Sequence, residues 1–333
     1  MSTAEAATAL NRISSSGIRH RHSESNHFIT SSEEEMKNVG FIGLGIMGEP
    51  MVLNVLKAGF NLIAVGGHAK AAIKRLSENK NVTVVDAPKD VAAASDVVVT
   101  CLPDTPDVER VVLGKDGLLD GAKRGLIIID HSTIAPVAAQ EIAAKAKNKG
   151  VAFLDAPVSG GQKGAIEGTL SIMIGGDVKA VKKAMPVLQA VGKKIVHVGK
   201  SGAGQFTKCA NQIICAVTWQ AIGEGMTLGA KAGVDPAKML EAISAGAARC
   251  WALEVRTPEV LKGNFKPGFM ARLQHKDLNI ALAAGKQVGV PLSVTAIVNE
   301  YYRVLLTAGR GDMDTSALVT LQEDLAGTKI RIT

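Results

Sequence analysis

Six consecutive residues, Gly43-Leu44-Gly45-Ile46-Met47-Gly48, carry the clearest chemistry in this 333-residue chain. They stand between an apolar run, Val39-Gly40-Phe41-Ile42, and a helix-like run that opens at Pro50. In the spacing G-x-G-x-x-G the first glycine permits a tight turn, the second lets a pyrophosphate approach the backbone, and the third lets helix pack closely on strand. The helix N-terminus then offers unsatisfied N–H groups and partial positive charge to the phosphates. The strand-turn-helix context is the one that confirms the motif, so the loop predicts a dinucleotide site. Such sites usually carry an acid for the ribose about 20 residues further on. Here the second apolar run ends Ala64-Val65-Gly66-Gly67-His68, with no acid. A carboxylate would repel a 2′-phosphate. Its absence, with His68, Lys70, Lys74 and Arg75 close by, favours NADPH over NADH as cofactor, with some dual use.

A phosphate loop needs a sheet to hold it, and the chain has one in its pattern. Asn61–Val65, Val82–Val85, Val97–Cys101, Leu126–Ile129, Ala152–Leu154 and Leu170–Ile174 read as strands separated by helix-like segments, among them Pro50–Ala58 and Ala69–Ser77. This alternation predicts βαβ units on a mainly parallel sheet, and the unbroken Val97-Val98-Val99 fits a sheet covered on both faces. After about Gly199 the strand signals stop. Gln205–Ala232 reads as one long helix, followed by helical runs over Ala237–Ala245, Asp277–Val288 and Ser293–Thr307. The expected fold is α/β: a Rossmann-type doubly wound sheet over residues 37–198, then an all-α C-terminal domain over 199–333 for substrate binding and oligomerisation, joined by a long interdomain helix.

Composition narrows the function classes. With 47% hydrophobic residues the chain is no disordered polypeptide. The net charge of +7 comes from scattered lysines, without the basic stripe and interleaved aromatics of a nucleic-acid binder. No run approaches the ~18 to 20 apolar residues of a membrane span. Cys101, Cys209, Cys215 and Cys250 form no CxxC pair and no metal-ligand spacing, which predicts buried or half-buried free thiols and no metal. Residues 1–36 stand apart: Ser-rich, bearing Arg12, Arg19 and Arg21, with only Glu5 and Glu24 as acids in the first 30. They read as a disordered extension, giving a cytoplasmic protein, or as a mitochondrial or plastid transit peptide.

Four motifs, in order and spacing, resemble the β-hydroxyacid dehydrogenase family, to which 3-hydroxyisobutyrate dehydrogenases belong. They are Gly40 to Gly48; Asp155-Ala156-Pro157-Val158-Ser159-Gly160-Gly161, continuing to Gly168-Thr169-Leu170 and Gly175-Gly176-Asp177; Gly202 to Gln212; and Lys276-Asp277-Leu278. The resemblance covers nearly all of residues 37–330. It implies hydride transfer between a nicotinamide cofactor and a small aldehyde or hydroxy acid. Phe265-Lys266-Pro267-Gly268-Phe269, Leu273 to Asn279, and Ala210 to Ile214 are most similar to the subgroup that reduces tartronate semialdehyde. The alternatives are 3-hydroxyisobutyrate oxidation, or reduction of glyoxylate or succinic semialdehyde. A cofactor-binding scaffold or sensor without catalysis is the non-enzyme alternative.

The resemblance also assigns roles. Lys208 is the proton donor to the forming alkoxide, and Asn211, three residues on and on the same helix face, orients substrate or lysine. Ser159, Gly160 and Gly161 hold the substrate carboxylate. Ser132 and Gln212 complete the substrate site, Gln212 standing where many relatives carry a second Asn. Leu102 and Pro103 line the ribose and nicotinamide path, with Thr133 beside it. Lys276 reaches back from the helical domain, positioned by Asp277. His131 is a neutral neighbour, and Trp251, Tyr301 and Tyr302 are core or interface residues. The helical domain implies a homodimer or homotetramer.

Overall fold

The computed structural model describes residues 36–65 and 69–331. His68, and the reading of residues 1–35 as tail or transit peptide, lie outside the described residues.

The first half alternates strictly: β1 (Asn38–Ile42), α1 (Gly48–Lys57), β2 (Asn61–Val65), α2 (Lys70–Leu76), β3 (Val82–Val85), α3 (Pro88–Ala94) and β4 (Val97–Thr100). Then follow α4 (Thr105–Leu113), α5 (Leu118–Gly121), β5 (Ile127–Asp130), α6 (Pro136–Asn148), β6 (Ala152–Asp155), β7 (Val158–Ser159), α7 (Gly161–Glu167), β8 (Leu170–Gly175), α8 (Val178–Val191) and β9 (Gly192–Gly199). The sheet runs β3-β2-β1-β4-β5-β6-β8-β7, with β9 on β8. Strands β1 to β6 are parallel to one another, and the order reverses between β1 and β4. In such sheets the crevice at the carboxyl ends beside that reversal is where ligands bind.

Side-chain alternation divides the core into two layers, because successive strand residues face opposite ways. Phe41, Val97, Val99, Ile127 and Ile129 pack with Met51, Val55 and Leu188 on one face. Ile42, Val98 and Ile128 pack with Val108, Val112 and Ile142 on the other. This is why the central strands read as unbroken apolar runs.

Two features depart from the sequence reading. Strand β8 runs antiparallel to β6 and β7, so the far edge of the sheet is mixed. Strand β9 was not expected at all: Lys193 and Lys194 are exposed at the sheet edge and break the apolar alternation of the segment.

The rest is helical: α9 (Ala203–Lys231), α10 (Pro236–Ser244), a π-helical turn (Ala252–Arg256), α11 (Thr257–Leu261), α12 (Ala271–Val288), α13 (Ser293–Thr307), a 3-10 turn (Thr315–Ala317) and α14 (Leu318–Ala326). The 29 residues of α9 extend roughly 44 Å at ~1.5 Å per residue. Trp219, Ile222 and Met226 in its later turns join Tyr302, Leu305 and Val319 in a third apolar cluster. Helix α12 begins at Ala271, not Asp277, because the polar run Arg272 to Lys276 disguises its first turns. Tyr302 is a core residue and Trp251 is exposed. Cys209 is buried and Cys101 and Cys250 are half-buried, but Cys215 is exposed, against expectation; all four are free thiols. Among the described residues no helix is long and apolar enough to cross a membrane.

Candidate active site

The phosphate loop turns at Gly43, whose φ of +104° suits glycine. A β-carbon there would strike the Cys101 carbonyl, and one at Gly48 would strike the Gly43 carbonyl. At Gly45, by contrast, a β-carbon would meet nothing within 4 Å. Two glycines are thus demanded by close approach within the protein, while the middle one faces open space, which is the arrangement a pyrophosphate needs. Leu44 is buried and Ile46 exposed. Met47 precedes α1 without a side-chain cap, which leaves the first-turn N–H groups without a local side-chain acceptor. These residues fit a dinucleotide cofactor.

Beside the loop, the ends of β4, β5 and β6 form a polar row. Thr100, Asp130 and Asp155 pair in register, and all three are buried. Asp130 Oδ1 accepts from Thr100 Oγ1 at 2.7 Å and from Ser132 Oγ at 2.6 Å. Ser132 Oγ in turn accepts from the Leu102 amide at 2.8 Å. Ser132, expected at the substrate site, stands at this polar row, and its hydroxyl also holds Leu102 beside Gly43. Pro103, next in the chain, is exposed. Burial raises the Asp130 carboxyl to about 6, against the hydrogen bonds that favour its ionised form. Burial also lowers His131 to about 4, so that it is neutral at physiological pH, with Nδ1 2.7 Å from the Ala156 carbonyl.

Two lysines from different helices reach the loop after β5 and the short strand β7 that follows β6. Lys208 of α9 donates to the Val158 carbonyl at 2.7 Å, one residue before Ser159-Gly160-Gly161. Lys276 of α12 donates to the Thr133 carbonyl at 2.7 Å. Beside Lys276 lies the buried carboxylate of Asp277. Its Oδ1 is 3.0 Å from Lys276 Nζ, out of hydrogen-bond alignment, and its Oδ2 accepts from Gln212 Nε2 at 2.6 Å. Burial lowers the Lys208 pKa and Lys276 adds to that, while Asp277 opposes both.

Asn211 Nδ2 donates to Gln212 Oε1 at 2.7 Å, and Gln274 Nε2 donates to the Gln212 carbonyl at 3.2 Å. Gln212, expected at the substrate site, donates to Asp277 and accepts from Asn211, and so ties the two together. Ser159 is half-buried, and Gly160 and Gly161 take φ of +133° and +61°. The fold therefore gathers Leu102, Ser132, Thr133, Ser159 to Gly161, Lys208, Asn211, Gln212 and Lys276 at one end of the sheet. Asp130, Asp155, Gln205 and Gln274 belong to the same polar core; Asp155, Gln205 and Gln274 stand inside the motifs that carry the resemblance but were given no role there. For Asp130 and Asp155 the sequence signal is an acid closing an apolar strand.

Residues 38–199 match the NAD binding domain of 6-phosphogluconate dehydrogenase, and residues 202–322 match the NAD-binding part of NADP-dependent 3-hydroxyisobutyrate dehydrogenase. The chain is 39% identical to 2-hydroxy-3-oxopropionate reductase of Escherichia coli, over 88% of this chain and 99% of that one. It is 37% identical to 2-(hydroxymethyl)glutarate dehydrogenase of Eubacterium barkeri, over 89% and 98%. Among solved structures, Mycobacterium tuberculosis 3-hydroxyisobutyrate dehydrogenase with L-serine superposes with a TM-score of 0.79 at 34% identity, over 86% of this chain and 99% of that one.

Proposed function

The chain belongs to the β-hydroxyacid dehydrogenase family and is an NAD(P)-dependent oxidoreductase acting on CH–OH groups; within that family we propose that it reduces tartronate semialdehyde (2-hydroxy-3-oxopropanoate) to glycerate. The observation that carries this reading is Lys208, a buried amine of lowered pKa lying 2.7 Å from a backbone carbonyl beside Ser159-Gly160-Gly161. The choice of substrate is supported by the likeness to the Escherichia coli reductase of that substrate. NADPH is the preferred cofactor over NADH, because no acid follows Val65 where a ribose-binding carboxylate would stand.

When bound, the nicotinamide supplies the hydride. The chain does the rest. Gly43 to Gly48 hold the pyrophosphate; Leu102, Pro103 and Thr133 line the path to the nicotinamide; Lys276 braces that side from α12. Ser159, Gly160 and Gly161 hold the substrate carboxylate and so present the carbonyl to Lys208, with Asn211 orienting both. As the aldehyde carbon gains hydride, Lys208 gives its proton to the carbonyl oxygen, and the neutral amine regains one from solvent. A lowered pKa brings donor strength toward working pH. In the oxidative direction the neutral amine is the base. Residues 199–333 complete the substrate site and carry self-association into a dimer or tetramer.

The test is the initial rate of tartronate semialdehyde reduction followed by NADPH oxidation, then by NADH. A kcat/KM at or above ~10⁴ M⁻¹s⁻¹ is expected of a true substrate. No activity with either cofactor overturns the substrate. A second reading, 3-hydroxyisobutyrate oxidation, is favoured by the likeness to the Mycobacterium tuberculosis enzyme. It predicts faster turnover of that alcohol than of tartronate semialdehyde.

A further inference from the structure

Helix α9 carries Lys208 in its second turn, yet it does not cap itself. Gly202, just before it, has φ of +90° and no side chain to accept from the first-turn amides. The acceptor comes from 47 residues earlier: Asp155 Oδ1 accepts from the Gly202 amide at 2.8 Å. Asp155 Oδ2 accepts from the Gln205 amide at 3.0 Å. Gly204 lets the backbones meet, since a β-carbon there would strike the carbonyls of both Asp155 and Met173. The carboxylate also sits at the positive end of a long helix, where negative charge is favoured.

A second tie leaves the same turn. The fully buried side chain of Gln205 donates from Nε2 to the Ser132 carbonyl at 2.8 Å and accepts at Oε1 from the Ile134 amide at 3.1 Å. Its amide thereby brackets Thr133, whose own carbonyl receives Lys276. Lys208 lies three residues beyond Gln205, on the same side of the helix. Its amine reaches Val158, three residues beyond Asp155. The start of α9 is thus bolted to the end of β6 and to the loop after β5, beside the two carbonyls that receive the lysines.

We propose that Asp155 and Gln205 are positioning residues for proton transfer: Asp155 caps α9 from a distance, Gln205 locks that cap to the Thr133 loop, and together they set where Lys208 enters the site. This rests on the reading of Lys208 as proton donor. Misplacement by about 1 Å can cost ~10²-fold in rate, so loss of either tie acts on turnover rather than on cofactor binding.

The experiment compares Asp155→Asn, Gln205→Met and Lys208→Ala with the wild-type enzyme, on whichever of tartronate semialdehyde and 3-hydroxyisobutyrate it turns over. Each is assayed below its own melting temperature. Asp155→Asn replaces one acceptor by a donor facing an N–H; Gln205→Met keeps the volume and loses both hydrogen bonds, and serves if the first variant folds poorly. Expected is a fall in kcat of ~10 to 100-fold, with NADPH affinity within about twofold of wild type. Expected also is a pH limb that moves up, because a loosened Lys208 is better hydrated and holds its proton to higher pH. Unchanged kcat and an unmoved limb in a folded variant, with only the melting temperature lowered, overturn the proposal. If Lys208→Ala keeps wild-type kcat, it is the reading of Lys208 that falls, and the proposal with it. If Lys208→Ala is inactive while the other two keep full kcat, only the positioning role falls.

Discussion

The phosphate loop and the lysine pair sit at the same end of the sheet but are assembled differently. The loop is six consecutive residues whose shape follows from Gly43 and Gly48, each pressed against a backbone carbonyl. The lysine pair comes from α9 and α12, and Lys208 and Lys276 reach the carbonyls of Val158 and Thr133 from 50 and 143 residues away. The first is held by backbone sterics and works through N–H groups. The second is held by buried carboxylates and amides and works through the protonation of one amine. Damage to the first should therefore appear in cofactor affinity, and damage to the second in turnover and its pH dependence.

Lys208→Ala is the largest expected break. Loss of a general acid typically costs ~10² to 10⁴-fold, so kcat should fall by that much while NADPH affinity, read by fluorescence titration, stays near wild type. A comparable loss of affinity would end the division of labour. Gly43→Ala attacks the other region. A side chain at φ of +104° against the Cys101 carbonyl adds strain of order 1 to 3 kcal/mol. Weaker NADPH binding and a lower melting temperature are expected. At saturating cofactor, kcat should fall much less than in Lys208→Ala.

Asp130→Asn tests the polar row between the two regions. The folded carboxyl is raised to about 6, above its unfolded value of ~3.9. Its contribution to stability is therefore full below about pH 4 and lost as pH rises through 6. The amide has no such loss and can still accept from Ser132 and Thr100. The stability of the variant relative to wild type should climb by an amount of order 2 kcal/mol between pH 4 and pH 7, seen as a melting-temperature difference that widens with pH. A difference that narrows would contradict the burial of that charge. Lys276→Met is the smallest and sharpest test. Removing a cation that lowers Lys208 should raise the Lys208 pKa. The limb of the reduction pH profile should move to higher pH. A shift downward would mean that Lys276 does not act on Lys208 electrostatically.

Much of this was legible without the tertiary structure, for reasons that differ by element. Strand and helix alternation up to β6 shows in Val97-Val98-Val99 and Ile127-Ile128-Ile129 because both faces of those strands are covered. The α13 run Ser293–Thr307 coincides with its helix because its apolar period is clear. Strand β9 was hidden by edge lysines, and the first turns of α12 by their polar residues, since burial of Gln274 depends on a neighbour, Gln212, that is 62 residues away. The resemblance singled out Ser132 and Gln212 but not the partners that hold them, Asp130, Leu102, Asn211 and Asp277, which only the packing brings together.

The sequence by itself determined the parts whose geometry is local. A glycine spacing of two and three residues dictates a turn and a helix start, and a three-residue step puts Lys208 and Asn211 on one helix face. Only the tertiary structure decided the rest. It chose Asp155 as cap for a helix 47 residues away, set Gln205 around Thr133, and buried Asp277 against Lys276. These depend on which strand ends lie side by side, and on water being excluded there. Spacing along a chain carries no record of either, because register between strands and the burial of a charge are properties of the packed whole.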